Sequence, residues 1–146
     1  MRSLTLALLF AAFSSALAAA PVYRMETVPD GVDVRPEVGI AINAHGVISG
    51  TGTLLNPPGG RVSFRHAQGV TTLLPDSDGA VVVGMNKRGD VLATRAGMNI
   101  LWQQNGMRRE LGLLRLKALN DTRQMVGSAP VDATWWQAML YDRGEV

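Results

Sequence analysis

Three stretches of the chain, residues 40–50, 82–93 and 116–127, share one pattern of apolar and polar positions. In each, apolar residues lead into an Asn (Asn43, Asn86, Asn120). Two or three polar residues follow, and an apolar stretch ending in a small residue closes the segment. Such a pattern predicts strand, tight turn, strand. Asn at the break can hydrogen-bond its own backbone, and Gly46 and Gly89, three residues on, supply left-handed backbone without steric cost. Arg123 stands where the third copy would have that glycine, so a slightly different turn is expected there.

A second pattern follows each of these, at residues 64–70, 101–107 and 140–145: a bulky apolar strand, a turn at Gly69, Gly106 or Gly144, and a return strand. Two hairpins recurring at a period of about forty residues predict four short strands per unit. The units are centred on the turns at 43–69, 86–106 and 120–144. The third runs out at Val146, and a strand at 22–28 is expected to complete it. Tyr23 to Asp30 reads like Val70 to Asp76, an alternating strand and then Pro-Asp. Pairing a first strand with a last one is how ring-shaped sheets remove free edges. Residues 107–117 are the best helical stretch, but Gly112 and the repeat register favour strands, and Asn56 to Gly60 reads as a loop.

These residues resemble the HAF-repeat family of exported bacterial proteins. The similarity rests on Ile42-Asn43, Gly46 and Gly50, the copies at Asn86 and Asn120, and the Leu101-Trp102 and Leu140-Tyr141 pairs ahead of a turn glycine. It covers essentially the whole chain after the leader. The resemblance implies a β-propeller-like arrangement with one four-stranded blade per repeat, and it implies no established activity or catalytic residue. Three units fall short of the four to eight blades that usually close a propeller. The expected fold is therefore all-β, three four-stranded units in a partial β-propeller-like arrangement, with β-trefoil or β-prism-like closure as the alternative.

Composition changes the picture mainly at the N-terminus. A basic start, an apolar run at 4–13 broken only by Thr5, and Ala16-Leu17-Ala18 predict a signal peptide over 1–18, cut after Ala18, with an uncut membrane anchor as the alternative. Residues 19–146 then form a single β-repeat domain in the periplasm or outside the cell, with no further run long enough to span a membrane. The chain has no Cys, which excludes a disulfide framework, a thiol nucleophile and cysteine-ligated zinc. The formal net charge is only +2, and the nearest basic clusters, Lys87-Arg88 and Arg108-Arg109, are expected as solvated hairpin tips. Nucleic acid is not an expected partner.

No catalytic residue is assigned and no motif requires a cofactor. His45 and His66 read as solvated turn residues, and no Ser occupies a Gly-x-Ser-x-Gly elbow. Asp76 and Asp78 are a weak candidate for a calcium loop, since no Glu follows at the usual distance. Trp135-Trp136, with Gln137, is the candidate ligand site: an exposed indole can stack on a sugar ring, whereas the ordinary outcome is packing between units. Phe64, Leu101, Trp102 and Leu140 are expected in the core. The functional expectation is an exported, non-catalytic binding or scaffold module whose partner is a glycan, an envelope protein or another copy of itself. The alternatives are a piece of a longer repeat protein, and a polysaccharide-acting enzyme built on a spatial carboxylate pair such as Asp121 with Asp132.

Overall fold

A computed structural model of the chain describes residues 27–142. The expected leader at 1–18 and all but the end of the expected strand at 22–28 lie outside the described residues, as do residues 143–146. The described residues form eleven strands and no helix. The first unit is β1 (Val34–Ile42), β2 (Ile48–Leu55), β3 (Pro58–Ala67) and β4 (Val70–Leu73). The second is β5 (Val81–Met85), β6 (Val91–Arg95), β7 (Met98–Trp102) and β8 (Arg108–Glu110). The third is β9 (Arg115–Leu119), β10 (Met125–Pro130) and β11 (Trp136–Tyr141). Each unit is one antiparallel meander, of four, four and three strands among the described residues. Residues 107–117 hold β8, a turn and the start of β9, strands as the repeat register predicts, and the sequence expected as a loop at 56–60 already enters β3 at Pro58 after a cis Asn56–Pro57 bond.

The sheets pack in chain order. The first strand of each later unit, β5 and then β9, lies against the preceding sheet, and among the described residues the three sheets do not close into a ring. Register explains which side chains meet. Val82 pairs with Ala93, which pairs with Ile100, and Met85 with Val91, which pairs with Trp102, so these share one face of the second sheet. With Leu74 and Ala80 they form a core on the side of the first sheet. The alternate residues Leu92 and Leu101 point the other way, into a second core with Leu116, Met125 and Tyr141 of the third unit. Period-two alternation along short strands thus serves two interfaces at once.

A third cluster holds Val34, Val62 and Phe64, on the face of the first sheet turned away from the second, with Val28 packed against it. Thr71 donates through its hydroxyl to the Pro29 carbonyl at 2.6 Å. The described part of the segment expected to complete the last unit therefore lies on the first unit. Trp102, Phe64 and Leu101 are core residues as expected, but Leu140 is 55 % exposed. It occupies the position in the third sheet that Leu101 has in the second, and no following sheet covers it among the described residues.

Candidate functional site

The three Asn turns lie together at one end of the sheets and are built alike. The amides of Gly46, Gly89 and Arg123 donate to the carbonyls of Asn43, Asn86 and Asn120 at 3.0, 3.0 and 3.1 Å. Arg123 does not change the turn. It takes φ 66°, beside 73° for Gly46 and 87° for Gly89, a left-handed conformation that costs a residue with a Cβ about 1 kcal/mol or more. Each Asn side-chain oxygen caps its own turn, accepting from Val47, Asp90 and Gln124 amides at 3.0, 2.9 and 2.9 Å. The side-chain amides of the first two then reach forward. Asn43 Nδ2 donates to Lys87 O at 3.1 Å, and Asn86 Nδ2 to Asn120 O at 3.1 Å. The residue that shapes each of these turns also ties its unit to the next.

Arg123 is held by Asp90, which is fully buried. The carboxylate receives Arg123 Nε at 2.8 Å and Nη2 at 3.2 Å, Asn86 Nδ2 at 2.9 Å and the Gln104 amide at 3.0 Å. Burial alone would raise the Asp90 pKa, but these donors, led by Arg123, outweigh it and hold the carboxyl below its ordinary value. The same pairing raises that of Arg123. A hydrogen-bonded buried carboxylate of this kind offsets the strain of the left-handed Arg123 and fixes its guanidinium in place.

That guanidinium forms part of a cleft of about 310 Å³ between the second and third units. Leu101, Leu111 and Met125 give it an apolar floor; Gln103, Thr122 and Tyr141 supply hydrogen-bonding groups, and Arg88, Arg109 and Arg123 supply charge. Among the described residues Arg88 and Arg109 make no ion pair, so two of the three cations are uncompensated. Arg88 also lines a neighbouring cleft of about 520 Å³ between the first and second units, with His45, Arg65 and Gln104. The two clefts form one basic track across the turn end. Arg88 is an exposed residue of the β5–β6 turn, as expected; Arg109 is exposed too but lies within β8 and not at a hairpin tip, and both line the cleft, while Arg108 is paired with Glu110 at 2.6 Å. The one sequence signal of this site was Arg123 standing in a glycine position.

The residues singled out from sequence lie elsewhere. Trp135 and Trp136 sit at the β10–β11 turn, at the opposite end of the third sheet from the Asn turns. Neither packs between units: Trp135 is 70 % and Trp136 39 % exposed, and the Arg115 guanidinium lies 3.7 Å over the Trp136 ring. Gln137 is an exposed strand residue opposite Ala129. Asp76 and Asp78 are exposed while Ser77 between them is buried and accepts from the Ser63 amide at 3.1 Å. No group of three or more acidic or histidine side chains able to hold a metal occurs among the described residues. His66 is not a free turn residue; its ring Nδ1 meets Thr71 Oγ1 at 2.8 Å. Asp121 and Asp132 do not converge, for the length of β10, about 20 Å, separates their turns. Asp121 accepts from the Lys87 amide at 2.8 Å. Asp132 accepts from the Thr134 amide and hydroxyl and the Trp135 amide, which lower its pKa in that order.

Compared with known proteins, the chain matches no family model, no curated sequence and no solved structure.

Proposed function

We propose that this chain is an exported, non-catalytic binding module of the cell envelope or cell exterior, a partial propeller-like stack whose turn end takes an acidic glycan. The observation that carries the reading is the convergence of Arg88, Arg109 and Arg123 on an apolar-floored cleft, with Arg88 continuing into the next. A sugar acid fits this combination. Its carboxylate or sulfate ester takes the guanidinium groups, and its hydroxyls reach Gln103, Thr122 and Tyr141. An extended acidic chain would follow the track past Arg88 toward His45. Export rests on the apolar run at 4–13, and the propeller-like arrangement on the stacking of one meander on the next.

The test is calorimetric titration with an acidic oligosaccharide and a neutral one of equal length. Acidic oligomers should bind, more weakly as salt rises. Arg109→Ala and Arg88→Ala should each weaken binding about tenfold, the loss expected for one charge-assisted hydrogen bond. Equal binding of the neutral oligomer, or binding that depends on Trp135 and not on Arg88, would refute this reading and return the site to the tryptophan pair.

A further inference from the structure

The two ends of the stack carry the two halves of an interface that the chain already uses twice. Equivalent residues follow from the turns and registers. Ile42, Met85 and Leu119 are each the last residue of a unit's first strand, paired across to Ile48, Val91 and Met125. Met85 packs on the core between the first and second units, and Leu119 on the core between the second and third. Ile42 has the same position with no unit before it among the described residues and is 69 % exposed. Beside it, Gly39, Ile40, Ala41 and Ile48 line an apolar groove of about 250 Å³.

The opposite end mirrors this. Leu92 and Leu101 face the third unit and are 0 % and 3 % exposed, whereas their counterparts Val126 and Leu140 face outward at 49 % and 55 %. The polar stitch stops there as well. Asn43 and Asn86 donate forward to the next turn; Asn120 Nδ2 makes the bond within its own turn, to Gln124 at 2.8 Å as Asn86 does to Asp90 at 2.9 Å, but has no forward acceptor among the described residues. One end thus presents apolar knobs and an unspent forward donor. The other presents an apolar groove and the turn that such a donor would reach.

We infer that two copies of this chain associate head to tail, the Val126–Leu140 face of each seated on the Ile40–Ile42 groove of the other. The occupant is a second copy because Ile42 matches Met85 and Leu119, and Val126 and Leu140 match Leu92 and Leu101, the two sides of the contact between consecutive units; Ile40, whose counterpart Val83 packs toward the following unit, only borders the groove. Any other partner would need an unrelated complementarity to both. Two copies place six units in sequence, within the four to eight that close a ring, so the association ends at a pair and does not run on as a fibre. This holds whatever ligand the turn end takes.

Sedimentation velocity on the full chain, over a wide range of concentration, tests it. The wild type should have twice the mass of one chain. Leu140→Glu and Ile42→Glu should each be monomeric, and both substitutions fall on exposed positions, so circular dichroism should keep the wild-type strand signal. Val126→Glu provides a second variant of the same face should Leu140→Glu misfold. Mixing the two monomeric variants should restore a pair, because one of its two contacts then joins an intact face to an intact groove. A monomeric wild type would overturn the inference. So would a pair lost by Leu140→Glu but kept by Ile42→Glu, which would mean like faces meeting, or masses that grow steadily with concentration.

Discussion

Replacing Asp90 by Asn tests the node that joins the second and third units. The shape is preserved and the charge removed. Asp90 accepts four hydrogen bonds, two on each oxygen, from Arg123 Nε and Nη2, Asn86 Nδ2 and the Gln104 amide. Asn offers one oxygen and an NH₂ group, so at least two of these donors would face another donor. Hydrogen bonds to a charged group contribute about 1.5–3 kcal/mol each, and removing one member of a buried pair costs about 3–5 kcal/mol. The Arg123 side chain is 35 % exposed, so water recovers part of its loss. The net cost should be about 3 kcal/mol, or roughly 12 °C in Tm at about 4 °C per kcal/mol for a domain of this size. Urea and thermal unfolding followed by circular dichroism at pH 7 would measure it. Because donors hold the folded-state pKa of Asp90 below its ordinary value, its stabilising contribution is complete above about pH 4 and is lost as pH falls through the lower folded value. The gap between wild type and D90N should therefore close in acid. Arg123→Gly should be less damaging than Arg123→Ala by about 1 kcal/mol, since glycine relieves the left-handed strain. A D90N variant within about 0.5 kcal/mol of wild type at pH 7 would refute the reasoning, that being the range of an ordinary surface change.

Two further substitutions probe the packing that holds the units together. Trp102 is 1 % exposed and its indole donates to the Pro75 carbonyl at 2.9 Å, so Trp102→Ala should cost about 3–5 kcal/mol; a loss under 1 kcal/mol in urea unfolding would argue against its place in that core. At Gly50 a Cβ would run into the Val38 carbonyl and come within 2.9 Å of the Phe64 ring, so Gly50→Ala should lower Tm by several degrees although alanine is the more rigid residue, and an unchanged Tm would contradict the β1–β2 contact.

The all-β content and the repeated hairpins were legible because both depend on local chemistry. Asn followed three residues later by left-handed backbone defines the turn, and alternation defines the strands on either side. Leu140 shows where that reading stops. Its repeat phase is that of Leu101, and phase fixes which face a residue is on; whether a further sheet covers that face is not a local property. The cleft was hidden for a related reason. Arg88 belongs to the turn after β5 and Arg109 to β8, distant in sequence and joined only when the second sheet folds. Arg123 did carry a signal, a bulky residue in a glycine position, and the tether that accounts for it, Asp90, is a buried carboxylate in the preceding unit that no pattern of spacing points to. The tryptophan pair drew attention by its rarity, yet its neighbours Arg115 and Asp132 place it at the other end of the sheet from the arginines.

The reading of this chain as a binder of acidic glycan at its turn end is tested most directly by backbone-amide NMR of the isotope-labelled protein during titration with an acidic oligosaccharide. Binding at the cleft should move the amides of Gln103, Thr122, Arg123 and Tyr141 first, and those near His45 and Arg65 as the oligomer lengthens. Shifts confined to residues 134–137, or none at all while a neutral glycan binds, would contradict it.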